Sequence, residues 1–107
     1  MDSSEVKKLL EEELARGEPF NNWHGITSES VRSCLVEPFP VRTDPDDLET
    51  QPRTMWVVLQ EHRDPRDGYV VVYDPLSTEW IVAEHVKGDD YIAVIAGSSL
   101  AQALDGM

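Results

Sequence analysis

The chain is short of the residues that most often announce a function. It has 107 residues with a single cysteine, three histidines and six glycines, none of them adjacent to another. One cysteine cannot form an internal disulfide, so stability must come from packing. Isolated glycines leave no phosphate-cradling loop, and no GxSxG, P-loop or HExxH pattern occurs. Apolar runs extend only a few residues, far below the roughly 20 needed to cross a bilayer. The first residues, "MDSSEVKKLLEEELARGEPF", lack the apolar core of a secretory signal, and with the lone Cys34 the expected location is cytoplasmic. Basic residues are scarce as well. Nine Lys and Arg against 21 Asp and Glu give a formal net charge of -12. That field repels phosphate backbones and anionic lipid surfaces, so neither nucleic acid nor membrane is an expected partner, whereas a basic protein would be attracted.

What is present reads as one domain over residues 1–107, long enough to remove roughly two-thirds of its unfolded surface from water. Asp2 and Glu5 form a capping pair ahead of Val6, Leu9, Leu10 and Leu14, and Gly17 follows, which predicts a helix over 3–16. Pro19 forbids its continuation. Thr27 or Ser28 can cap a second helix over 28–36 with Val31, Cys34 and Leu35 on one side. Pro38 and Pro40 then force an extended path into the polar loop "TDPDDLETQPR". Beyond it the period changes. Strands are predicted over 54–62, 68–74, 78–86 and 90–96, joined by links too short for parallel crossovers, and Ser98 or Ser99 can cap a helix over 99–105. The expected fold is α+β: two N-terminal helices, a four-stranded antiparallel meander sheet and a short C-terminal helix.

Strict alternation sets Met55, Val57 and Leu59 against Trp56 and Val58, and Ile81 and Ala83 against Trp80 and Val82. Both faces are then apolar at their centres. A freely solvated antiparallel face alternates more cleanly, so either helices cover parts of both faces or one face receives a partner. The packing residues expected from the sheet are Val57, Leu59, Val71, Ile81, Ala83, Ile92 and Val94.

Candidate chemistry is thin. "FNNWHGITSES", residues 20 to 30, reads as a joint: Phe20 and Trp23 plug the space between helices, Gly25 takes a positive φ and Ile26 precedes a cap. The competing reading makes His24 a base or metal ligand held by Asn21 and Asn22. His24, Cys34, His62 and His85 are the soft ligands, but their spacing lacks the close pairs of structural zinc sites, and no metal or other cofactor is expected. A calcium loop starting at Asp44 would need Gly at its sixth and Glu at its twelfth position, where Glu49 and Met55 stand. Asp89 and Asp90, adjacent on a strand, would point to opposite faces and make a poor acid/base pair.

The favoured expectation is a small non-catalytic protein-binding module: an inhibitor, an immunity-type neutraliser of a basic toxin, or an accessory subunit. Its anchors would be Trp56 and Trp80, bordered by Asp44, Asp46, Asp47 and Glu49. One alternative is a small-molecule site or minor enzyme with a pocket lined by Trp56, Tyr73 and Trp80. Another is a self-associating domain whose open sheet face closes a homodimer.

Overall fold

The computed structural model describes residues 1–45, 51–88 and 90–107. Helix α1 spans Ser3–Ala15 and a single 3-10 turn covers Val31–Cys34. Five strands follow: β1 (Leu35–Asp44), β2 (Arg53–Gln60), β3 (Tyr69–Asp74), β4 (Glu79–Lys87) and β5 (Asp90–Gly97). Helix α2, Leu100–Gly106, ends the chain. The expected four-stranded antiparallel meander and second N-terminal helix are thus corrected: the sheet is a closed, mixed barrel in the order β1-β2-β3-β4-β5. Among the described residues no helix is long and apolar enough to cross a membrane.

α1 starts where its capping signal places it, with the Glu5 N–H donating to Asp2 Oδ1 at 2.9 Å. Val6 and Leu10 are buried against the sheet, and Lys7 pins the helix start to β1 through Glu37 at 3.1 Å. The last-turn ion pair joins Arg16 to Glu13 at 2.6 Å. α2 is capped by Ser99, whose Oγ accepts from the Gln102 N–H at 3.1 Å.

Residues 28–36 fail as a helix for a local reason. Glu37 and Phe39 both precede prolines, which disfavour the α region for the residue before them, so a helix starting near Thr27 has no room to grow. Only a turn and the short 3-10 segment remain, and Leu35 is already extended. The strand that replaces the helix tolerates Pro38 and Pro40, because β1 meets β5 only over Arg42–Asp44. Around the two prolines β1 pairs only with β2 among the described residues, an edge environment where a missing N–H is acceptable.

Closure follows from counting. β1 to β5 are linked in sequence by antiparallel pairings, so the first and fifth strands run in the same direction and can close only as a parallel pair. The seam is short: Arg42, Thr43 and Asp44 face Asp90, Tyr91 and Ile92.

Two separate buried layers result, and together they account for the doubly apolar strands. One contains only strand residues, including Met55, Val57, Val72, Ile81 and Ala93, and fills the barrel. The other lies outside it, where Val71, Tyr73, Trp80 and Val82 pack beneath Val6 and Leu10 of α1, Leu100 and Leu104 of α2, and Phe20, Ile26 and Val31 of the connecting segment. At about 25 cal/mol per Å² of apolar surface, this double burial is the main source of stability. Among the described residues, the outer face that carries Val71, Tyr73, Trp80 and Val82 is covered by the chain's own helices and connecting segment.

Four register shifts curve the strands: one lies in β1 between Leu35 and Phe39, and each of the other three inserts an extra valine. Val57 faces Val72 while Leu59 faces Val71, leaving Val58 as the added residue. Val86 and Val94 are the added residues between β4 and β5, and both are exposed, at 58% and 45%. Bulges of this kind bend a strand and tighten its twist, which a five-stranded closure requires. They also move Leu59 to the outer layer, away from Val57, and take Val94 out of the core where alternation placed it.

One end of the barrel holds an ion pair. Asp74, wholly buried, accepts from Arg53 through both side-chain oxygens, from Ser77 Oγ at 2.8 Å and from the Leu76 N–H at 3.0 Å. Burial pushes its carboxyl upward, but Arg53, Ser77 and the Leu76 N–H outweigh that and hold it below the usual range. The Thr43 hydroxyl, also on the inward-facing side of its strand, has no hydrogen-bond partner among the described residues.

Two stability measurements test this arrangement. Because the folded pKa of Asp74 is depressed, its contribution is full above the unfolded value and lost as pH falls through the folded one. Asp74→Asn should cost roughly 2 to 3 kcal/mol at neutral pH by chemical denaturation, below the range for fully enclosed pairs because Arg53 keeps 23% side-chain exposure. The same variant should show a shallower loss of stability between neutral pH and the acid range. Thr43→Val should leave stability unchanged or raise it by about 1 kcal/mol, since it removes a buried hydroxyl with no partner and keeps the shape. A loss of similar size would mean the hydroxyl is satisfied, for example by a buried water.

Candidate functional site

The tryptophans exchange their expected places. Trp80 is 3% exposed and Trp23 is 100% exposed. Trp56, Tyr73 and Trp80 form one row across β2, β3 and β4, Trp56 opposite Tyr73 and Tyr73 opposite Trp80. Tyr73 and Trp80 rings lie 4.8 Å apart in tilted contact, and half-buried Trp56 packs against the same outer layer. These three aromatics therefore fill space under the helices, and Trp80 has almost no surface to offer a partner. Asp44 sits in the seam opposite Ile92, apart from that row. Asp46, Asp47 and Glu49 lie outside the described residues, as does Asp89.

Residues 20–26 are a joint, but one built on amides. Phe20 and Ile26 are buried at its two ends. Between them Asn22 does the fastening: its Oδ1 accepts the N–H of His24 at 2.9 Å and of Ile26 at 3.2 Å. Its Nδ2 donates to the Leu104 carbonyl of α2 at 3.1 Å. The Asn21 N–H donates to Asp105 Oδ1 at 3.0 Å, a second tie to the same helix. Gly25 adopts φ +78°, as the turn requires. An Asn side chain that reproduces backbone turn bonds leaves its neighbours no freedom to collapse, and Trp23 is held out into solvent.

His24 is fixed on the other side of the turn. Its Nδ1 bonds the Glu61 carboxylate, and its ring meets Tyr69 edge-on with centroids 5.2 Å apart. Glu61 also accepts the Tyr69 N–H at 3.0 Å, while its own N–H donates to the Tyr69 carbonyl at 2.9 Å. Gly68, at φ +75°, is needed here, because a Cβ would strike the Glu61 carboxylate and the His62 ring. Burial raises the Glu61 carboxyl, yet the Tyr69 N–H and the His24 ring bring it below its ordinary value. A carboxylate can only accept, so the His24 Nδ1–H is the donor in this bond. Among the described residues no hydroxyl or thiol bonds the His24 ring.

The remaining soft ligands do not converge. His62 lies 3.9 Å from Glu61, His85 bonds the Gly88 carbonyl at 2.6 Å, and half-buried Cys34 neighbours Ser33. No group of three or more His, Cys, Asp or Glu among the described residues could hold a metal. A concavity of about 500 Å³ opens near Phe39, Arg42, Arg66 and Tyr91. Its cations face acids already: Arg66 meets Asp64 at 3.3 Å and Arg42 approaches Asp90 at 4.0 Å.

Compared with protein-family models, curated proteins and solved structures, the chain matches none. Its exposed tryptophan was missed in the sequence because a large aromatic beside a turn ordinarily packs inward; the available signal was the pair of amides, Asn21 and Asn22, directly before it.

Substitutions separate the display from its support. Trp23→Ala should change stability by less than about 0.5 kcal/mol, as surface changes do. Asn22→Ala should cost about 1 to 2 kcal/mol by removing a half-buried amide that bonds the His24 and Ile26 N–H groups and the Leu104 carbonyl. Urea titrations of the two variants check this, and equal losses would place Trp23 inside the fold.

Proposed function

We propose that the domain is a non-catalytic binding module that offers Trp23 to a basic protein. The observation that carries this reading is the fully exposed indole on a loop fastened at both flanks. Tryptophan is the residue most enriched among side chains that dominate binding energy, and burying one on association removes a large apolar surface from water. Holding it rigid beforehand lowers the ordering cost of the complex. The net charge of -12 supplies the other half: it favours cationic partners and speeds their approach. An enzyme reading has less support, since the His24 and Glu61 dyad has no nucleophile bonded to it among the described residues.

Immobilised wild-type and Trp23→Ala proteins exposed to lysate of the encoding organism test the proposal. A basic protein held by the wild type, released by added salt and lost from the variant is the expected result. Loss of the indole should weaken binding by about 2 kcal/mol or more, chiefly through faster dissociation. Partners retained equally by both proteins, or acidic ones, would contradict it.

A further inference from the structure

Beside the exposed indole is a concavity of about 320 Å³ lined by Asn21, Asn22, Trp23 and Asp105. We infer that this concavity is a receptor for one arginine side chain of the partner, stacked on Trp23 and hydrogen-bonded to Asp105. The inference rests on the binding-module reading and adds the chemistry of the group recognised.

The polar groups around the concavity determine what fits. Asn22 is spent, with Oδ1 accepting from two backbone N–H groups and Nδ2 donating to Leu104. Asp105 commits one oxygen to the Asn21 N–H at 3.0 Å, which fixes the carboxylate's position while its other oxygen carries no bond among the described residues. What remains is an aromatic face, a carboxylate oxygen and the exposed Asn21 amide. A ligand anion would meet the carboxylate, and an apolar group would strip it of water without replacing its hydrogen bonds. A cation satisfies both the ring and the oxygen, and Trp is the best aromatic platform for one.

Guanidinium suits this pairing better than ammonium. It is flat and weakly hydrated, so it can lie on an indole while its in-plane N–H groups reach the carboxylate. The volume stands at the low end of the roughly 300 to 1,000 Å³ of small-molecule sites, which accords with one long side chain and not a whole ligand. On the far side of Asp105 a second concavity, about 450 Å³, carries Glu18, and its own cation Arg16 is drawn to Glu13. The surroundings thus favour a segment with more than one positive charge.

The test titrates isotopically labelled protein with an end-capped Gly-Arg-Gly-Arg-Gly peptide, its citrulline counterpart and its lysine counterpart. Citrulline keeps the shape of arginine and removes its charge. The arginine peptide should shift the Trp23 indole N–H and the Asn21 amide saturably, and the citrulline peptide should not. Trp23→Ala and Asp105→Asn should each weaken binding about tenfold, and Asp105→Asn retains an oxygen for the Asn21 N–H, so an unchanged melting temperature shows that the fold is intact. Equal binding of the citrulline or lysine peptide, or shifts on other acids with the Trp23 indole stationary, would overturn the assignment. If the peptides fail while Trp23-dependent capture of a basic protein persists, the arginine receptor falls and the binding module stands.

Discussion

The parallel seam between β1 and β5 is the contact on which the rest of the structure depends. Three residue pairs join Arg42–Asp44 to Asp90–Ile92, and without them the antiparallel run from β1 to β5 would be an open sheet with two free edges and an apolar face in water. With them, the inner face becomes a filled interior and only the outer face needs covering. α1, α2 and the segment containing Phe20, Ile26 and Val31 are enough for that. The bulges at Val58, Val86 and Val94 supply the curvature that lets so few strands meet.

Closure also decides where recognition can occur. An open sheet with two apolar faces would invite a partner onto one of them, and Trp56 and Trp80 would be natural anchors. In the barrel Trp80 is covered by the chain's own helices and Trp56 is half-buried against the same layer, so apolar strands cease to signal an interface. The most exposed large hydrophobic side chain among the described residues, Trp23, is instead on a loop that contributes nothing to the sheet. Asn22 and Asp105 bind that loop to α2, and α2 in turn packs on β4 and β5, so the position of Trp23 is inherited from the barrel.

Much of the local structure was legible in the residues. The cap at Asp2, the cap at Ser99 and the strand-forming runs after residue 53 follow from short-range chemistry. The four later strands also pair antiparallel in chain order. Two things were not legible. β1 carries two prolines that read as an exit from a helix, and its place at an edge-like stretch of ladder is a tertiary fact. Each bulge also reverses the facing of the residues beyond it, so Leu59 and Val94 lie away from the positions that strict alternation assigns. The site was obscured for a related reason: whether Trp23 plugs a gap or projects from it depends on Asn22 reaching Leu104, 82 positions away.

The helices packed on the outer face of the closed barrel cover Trp80 and leave Trp23 as the displayed tryptophan. Indole N–H signals of Trp23, Trp56 and Trp80, recorded with a soluble paramagnetic relaxation agent, test it in one experiment. Strong broadening is expected for Trp23, an intermediate effect for Trp56 and almost none for Trp80. Broadening of Trp80 equal to that of Trp23, or a protected Trp23, would contradict it.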